Sequence, residues 1–269
     1  LGRGGAQQHA ALSRAGTQGN DDMQDALDFS GRTVLVVGGS SGIGNGIAQA
    51  FRACGAEVHV WGTRARAADY RADEGSDLSG LHYTSLDVSD SARVAAVEPP
   101  FARLDVLVLC QGIVLYKRGE YTSAGFRRVV EVNLNSLMDC ALRFESMLEA
   151  SGGSLITVSS TAAFHATRGN PAYNASKTGA MGLTRTLGDA WAPEGIRVNA
   201  VAPGAVPTEG TSKHRNAELD ARRIARTPLG RLGTVEDIAD AICFLASDEA
   251  RFVNAEYLRL DGGMSQTSL

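Results

Sequence analysis

The sequence predicts an α/β fold: a doubly wound, seven-stranded parallel sheet of the Rossmann type in a single domain. Three observations predict it. From Gly31 onward, short apolar runs rich in β-branched residues alternate with stretches of helical spacing. The runs are apolar on both faces, as strands are when helices cover the sheet from both sides. The first run passes directly into glycines, TVLVVGGSSGIG, the composition of a strand-to-helix turn at the edge of such a sheet.

Each element follows in order. Residues 33–39 form the first strand, and GIGNGIAQAFRACG the first helix, with Ile43, Ile47, Ala50 and Phe51 on one face and Gly55 closing it. Residues 57–62, EVHVWG, give the second strand. Further strands are predicted at 81–88, 104–110, 153–160, 196–204 and 257–263, and helices around 64–72, 91–97, 123–149, 171–192 and 234–246. Right-handed crossovers then place helices on both faces and ligands outside the carboxyl ends of the strands. Residues 1–28 contain no apolar run long enough for a signal core or a membrane span, and are read as a flexible extension preceding a domain at 29–269.

The 269 residues are 43% hydrophobic and 21% charged, with a formal net charge of −4. That composition suits a globular chain with a sizeable core, and lacks the basic field that nucleic acid or an anionic membrane surface would require. Cys54, Cys110, Cys140 and Cys243 are widely spaced, with no CxxC pair or Cys/His cluster, so no metal site is expected and the chain reads as reduced and cytoplasmic.

Gly38, Gly42 and Gly44 lie at the turn after the first strand and at the start of its helix. Without Cβ atoms there, a pyrophosphate can approach backbone N–H groups at a helix N-terminus, where the macrodipole favours negative charge. Which dinucleotide binds depends on the end of the second strand, where a carboxylate would bond a ribose 2′-OH and repel a 2′-phosphate. Gly62 stands there, followed by Thr63, Arg64 and Arg66. A hydroxyl and one or two guanidinium groups favour NADP(H) over NAD(H), although the same arginines also suit a solvated helix start.

Pro171 suits the first turn of a helix carrying Tyr173 and Lys177 at i and i+4, one turn apart on one face. A phenol titrates near 10 in water, too high for acid–base work at neutrality, and an adjacent ammonium lowers that value by stabilising the phenolate. A solvent-facing Tyr and Lys would have the same spacing. Ser159 and Ser160 end the predicted fifth strand, and thirteen residues precede Tyr173 from there. A hydroxyl at that rim bonds a carbonyl oxygen as charge develops on it, or caps a turn.

The GGSSGIG turn, Asn133 in VEVNLNS, a serine before YxxxK, NAVAPG after the sixth strand, and the stretch TPLGRLGTVEDIADAICFLASDEA followed by LDGG together resemble the short-chain dehydrogenase/reductase family over roughly residues 29–264. The resemblance implies a catalytic set of Asn133, Ser160, Tyr173 and Lys177. In that set Tyr173 exchanges a proton with a carbonyl or alcohol oxygen, Ser160 orients that oxygen, Lys177 lowers the tyrosine pKa and binds the nicotinamide ribose, and Asn133 holds a relay water. It also implies cofactor contacts at Gly38, Ser41, Gly42, Ile43 and Gly44, at Thr63 and Arg64, at Asp87 and Val88 near the adenine, at Gly112, and at Pro203, Gly204 and Val206 near the nicotinamide, besides Tyr173 and Lys177. Asp87 equally suits an N-cap of the next helix.

Two departures from the family pattern stand out. Val37-Gly38 replaces Thr-Gly, and Leu109-Cys110-Gln111-Gly112 replaces Asn-Asn-Ala-Gly, so the asparagine contacts that stabilise the family's central sheet must be replaced or absent. The resemblance leans toward 3-oxoacyl-thioester reductases. Glu149 and Glu194 stand where carrier-protein enzymes of the family have basic residues, which favours a small-molecule ketone or secondary alcohol instead. The segment after Gly204, with Lys213, His214, Arg215, Arg222, Arg223 and Arg226, corresponds to the family's lid and would suit an anionic substrate or simply face solvent. The family's habit implies a homotetramer or dimer, to which Ala175, Gly179, Ala180 and Gly182 would lend close helix approach. A dinucleotide-binding sensor or scaffold without catalysis is the alternative from another functional class; a nucleotide-sugar epimerase would need a larger substrate domain.

Overall fold

The structure is a computed structural model that describes residues 27–71, 75–208 and 216–266. Its strands are β1 (Thr33–Val37), β2 (Glu57–Gly62), β3 (His82–Ser85), β4 (Val106–Leu109), β5 (Ser154–Val158), β6 (Arg197–Pro203) and β7 (Tyr257–Leu260). Its α-helices are α1 (Gly42–Ala53), α2 (Ser91–Ala96), α3 (Ser123–Val130), α4 (Ser136–Ser151), α5 (Pro171–Ala190), α6 (Ala217–Ala225) and α7 (Val235–Ala246). The strands pair in parallel in the order β3-β2-β1-β4-β5-β6-β7. Strand order reverses between β1 and β4, and a crevice opens there at the carboxyl ends.

Strand alternation divides the core into two layers. Leu35 and Val37 of β1 join Leu107, Leu155, Phe144, Leu148 and Leu187 beneath α4 and α5. Val34 and Val36 point the other way, against Ile47 and Phe51 of α1 and Ile238 and Ile242 of α7. All five β1 residues are buried, which is why that stretch reads as a continuous apolar run rather than an alternating one.

Three expectations change. The helix expected at 64–72 is a single 3₁₀ turn at Ala67–Asp69 among the described residues; Gly62 ends β2, and Tyr70 turns back to bond the backbone there. The helix expected at 123–149 is α3 and α4 joined by a π-turn at Glu131–Asn135. The segment after Gly204 contains α6, capped by Asn216; Lys213, His214 and Arg215 lie outside the described residues, as does 1–26 of the expected N-terminal extension. Among the described residues no helix is long and apolar enough to cross a membrane.

Candidate active site

The glycine turn is shaped by close backbone approach. Gly38 has φ +77°, and a Cβ on it would lie 2.9 Å from the Gln111 backbone; a Cβ on Gly44 would lie 2.1 Å from the Gly38 carbonyl oxygen. No side chain larger than hydrogen fits at either place, so the turn presents backbone alone to the N-terminus of α1. Ser41 takes the N-cap position with extended backbone and makes no side-chain cap, leaving its exposed hydroxyl toward the crevice mouth. Ile43 is half-buried behind it. A cradle that a single methyl would fill suits a dinucleotide pyrophosphate.

At the end of β2, Thr63 and Arg64 are exposed. The Tyr70 hydroxyl accepts the backbone N–H groups of both, each at 3.1 Å. The Arg64 guanidinium stacks 4.5 Å above the Tyr70 ring and donates to the Asp69 carbonyl. Arg66 is paired with the Asp69 carboxylate at 2.8 Å. Among the described residues Arg64, unlike Arg66, forms no ion pair with a carboxylate, although Asp69 feels its charge. Asp87 is not the cap of α2: that role belongs to Asp90, which accepts from Arg93 N at 3.1 Å. Asp87 instead bonds Ser89 and faces Arg128 at 3.7 Å, beside buried Val88.

The departure after β4 has a structural answer. Cys110 N bonds Val37 O at 3.0 Å, and Gln111 Nε2 donates to Ser136 Oγ at 3.0 Å, so Gln111 tethers the sheet to α4 where the family uses asparagines. Gln111 Oε1 is buried without a partner, the residual cost of that exchange. Gly112 stays open: a Cβ there would lie 3.4 Å from Lys177 Nζ and 3.6 Å from Asn133 Oδ1. Asn133 is fully buried and clamps Ile113 through both backbone atoms, accepting its N–H at 2.8 Å and donating to its carbonyl at 3.0 Å. The π-turn supplies this placement by rotating Asn133 inward from the course of an α-helix.

Ser160, just past β5, accepts the Ala162 N–H at 3.1 Å and stands close enough to the Tyr173 phenol to favour its ionised form. Ser160 thus caps a turn, as one of its two readings has it, and stands beside the tyrosine. Lys177 is 4% exposed, its Nζ 5.7 Å from the centre of the Tyr173 ring and 2.8 Å from the Val158 carbonyl to which it donates. Burial pulls the Lys177 ammonium down to about 8. Burial also pushes the Tyr173 phenol up; Ser160 opposes that, while Tyr116, Cys110 and Glu120 add to it. In this state burial dominates the phenol, and the Lys177 ammonium is engaged with the Val158 carbonyl. Pro203 is buried at the end of β6, and Gly204 packs against Asp261, where a Cβ would sit 2.8 Å from the Asp261 side chain. Val206 lies against Gly233, at the foot of the segment leading to α6.

The comparisons with known proteins agree with this geometry. A family profile described as Enoyl-(Acyl carrier protein) reductase matches residues 37–265. The chain belongs to the short-chain dehydrogenase/reductase family. It is 34% identical over 250 residues to 2-dehydro-3-deoxy-D-gluconate 5-dehydrogenase of Bacillus subtilis (strain 168), covering 90% of this chain and 97% of that one. It is also 34% identical over 247 residues to 3-oxoacyl-acyl-carrier-protein reductase FabG of Escherichia coli (strain K12), covering 88% and 99%. A Beutenbergia cavernae crystal structure, described as an NAD(P)-dependent gluconate 5-dehydrogenase with NADP bound at low occupancy, superposes with a TM-score of 0.78 at 36% identity, covering 90% of this chain and all of that one. As a member of this family, the chain is an oxidoreductase acting on an alcohol or ketone with a nicotinamide cofactor.

The structure adds residues that motif spacing does not reveal. Ser159 Oγ donates to the Lys177 carbonyl at 2.9 Å, bracing α5 against β5. Glu120, from the 3₁₀ turn Gly119–Tyr121, is 1% exposed and accepts the Tyr173 N–H at 2.9 Å. Other residues are relocated. Glu149 and Glu194 lie just before β5 and β6, at the opposite end of these strands from Ser160. Gly179 meets Leu134 and Ala180 is fully buried; of the four small α5 residues, only Ala175 and Gly182 remain toward the outside. Glu57, His59 and His82 cluster at the amino ends of β2 and β3, but the two imidazoles stack at 4.6 Å and 22°, so their in-plane lone pairs do not converge on one ion. His59 Nδ1 also has no acceptor behind it, the support that a ligating histidine ordinarily has.

Proposed function

We propose that the chain interconverts a small-molecule ketone and its secondary alcohol, with NADP(H) preferred over NAD(H), and that Tyr173 is the group exchanging the proton. The observation that carries this reading is the gathering of Tyr173, Ser160 and Lys177 at the carboxyl end of β5: Ser160 acts on the phenol, and Lys177 Nζ lies 5.7 Å from the centre of its ring. The cofactor, when bound, supplies or accepts the hydride. Ser160, whose oxygen accepts from Ala162, keeps its own proton for a substrate oxygen, and Tyr173 beside it gives a proton to that oxygen in reduction or takes it in oxidation. Lys177 and Asn133 flank the space above Gly112, where a ribose hydroxyl would meet the ammonium. Charge on Lys177 then favours the phenolate once its own partner changes from the Val158 carbonyl to a sugar hydroxyl.

Arg64, an exposed guanidinium at the end of β2 with no ion pair among the described residues, supports the NADP(H) preference. A small-molecule substrate is supported by the likeness to 2-dehydro-3-deoxy-D-gluconate 5-dehydrogenase; the cavity of about 570 Å³ lined by Thr227, Leu229, Arg231, Arg259 and Asp261 includes none of Ser160, Tyr173 and Lys177 in its lining and does not bear on it. Exposed Leu142 on α4, Phe244 on α7 and Phe252 support association of copies through these faces.

Incubation with NADPH and a panel of ketones, 3-oxo acids and a 3-oxoacyl thioester, followed at the nicotinamide absorbance, tests the reading. Tyr173→Phe is expected to lose about 10²–10⁴-fold in rate while still binding NADPH. A Tyr173→Phe protein as active as the parent refutes the assignment, and NADPH binding without turnover anywhere on a broad panel favours the non-catalytic sensor.

A further inference from the structure

Glu120 is a buried carboxylate that the reaction chemistry leaves unexplained. It is 1% exposed, and none of the ion pairs formed among the described residues includes it. Its oxygens are met by N–H groups instead: Oε2 accepts from Tyr173 N at 2.9 Å, and Oε1 accepts from Leu115 N at 3.2 Å and Asn170 Nδ2 at 3.1 Å. Burying a carboxylate without a cation is costly unless such donors and a favourable field surround it.

The field comes from α5. Asn170, its N-cap residue, makes no side-chain cap to its own helix, and Pro171 at the first position has no N–H to satisfy. The third N–H of the helix belongs to Tyr173 and is one of the donors that a helix cannot satisfy internally. Glu120 meets it from another segment of the chain, at the positive end of a 20-residue helix. The same carboxylate ties in Leu115 and Asn170, so three stretches converge on it: the loop after β4, the turn before α3, and the start of α5.

We propose that Glu120 is a positioning residue for the reaction, locking the first turn of α5, and with it the Tyr173 hydroxyl, in register with Ser160. This inference rests on Tyr173 being the proton-exchanging group. Its charge has a second effect. The groups facing the phenol are Ser160 after β5, Tyr116 and Cys110 from the segment after β4, Lys177 one turn along α5, and Glu120 itself. After burial and the Ser160 hydrogen bond, the charges of Tyr116, Cys110 and Glu120 oppose the phenolate. A neutral side chain at 120 therefore eases ionisation of Tyr173.

Glu120→Gln and Glu120→Ala, compared with the parent in the alcohol-oxidation direction, test this. In Glu120→Gln the amide oxygen still caps Tyr173 N while its NH₂ faces two donors, so kcat is expected to fall about tenfold with KM and NADPH affinity nearly unchanged. The ascending limb of the kcat profile, where ionisation of Tyr173 switches activity on, should move to lower pH. Glu120→Ala is expected to lose about a hundredfold in kcat. Parent kcat and an unmoved pH profile in Glu120→Gln overturn the proposal, even if the melting temperature falls, because that pattern is purely structural. Should Glu120→Ala fail to fold, the Glu120→Gln profile alone decides. An active Tyr173→Phe would instead refute the underlying acid–base reading, so the two failures are distinguishable.

Discussion

Replacing Lys177 by methionine should destroy activity and, at the same time, stabilise the fold. Lys177 is 4% exposed, and burial brings its pKa from 10.5 to about 8. At about 1.4 kcal/mol per pH unit, holding this ammonium at pH 7 costs the folded state about 3 kcal/mol. Methionine fills similar volume without charge but leaves the Val158 carbonyl without its 2.8 Å donor, a loss of about 1 kcal/mol. The net gain is about 2 kcal/mol, or about 6 °C in Tm for a chain of this size. The sign follows from linkage: between pH 8 and 10.5 the folded state binds fewer protons than the unfolded one, so parent stability rises with pH through that window. The advantage of Lys177→Met is therefore full below about pH 8 and reversed to a deficit of about 1 kcal/mol above about pH 10.5, where only the lost Val158 bond remains. Urea unfolding of both proteins without cofactor at pH 7, 9 and 10.5 measures it. A difference that does not change with pH, or a variant less stable at pH 7, refutes the reasoning.

Gly44→Ala should abolish NADPH binding in a fluorescence titration and lower stability by about 2 kcal/mol, since its Cβ would lie 2.1 Å from the Gly38 carbonyl oxygen; unchanged affinity would show that the turn is not the pyrophosphate seat. Arg64→Ala should weaken NADPH binding about tenfold and leave NADH unchanged, as read by paired titrations; equal losses for both would remove the 2′-phosphate role. Asn199→Ala should cost about 2–3 kcal/mol in urea unfolding without altering KM, because Asn199 is fully buried and its side chain satisfies both Val253 O at 2.9 Å and Glu256 N at 3.1 Å.

Much of the fold was legible because a sheet covered on both faces leaves continuous apolar runs, and because Gly55, at φ +88°, marks the end of α1 as a closing glycine should. The proposed site was read from the resemblance of several motifs taken together, since the spacing of Tyr173 and Lys177 alone fits a solvent-facing pair equally well. Contacts between distant segments were not legible. Nothing in GEYTS distinguishes Glu120 from a surface carboxylate, although Pro171 at a helix start signals that an acceptor is needed nearby. Arg64 and Arg66 look alike in sequence, and only the fold of 67–70 assigns Asp69 to Arg66 and the Tyr70 ring to Arg64. Helical spacing over 123–149 likewise conceals the π-turn, since one extra residue barely disturbs a hydrophobic periodicity.

That wide turn at Glu131–Asn135 sets local regularity against the geometry of the site. An α-helix advances about 100° per residue, so a one-residue deletion that restored ordinary helical bonding would swing Asn133 by that angle and release Ile113. The irregular turn is thus what keeps Asn133 facing Ile113, and a chain that regularised it would gain helix and lose the clamp.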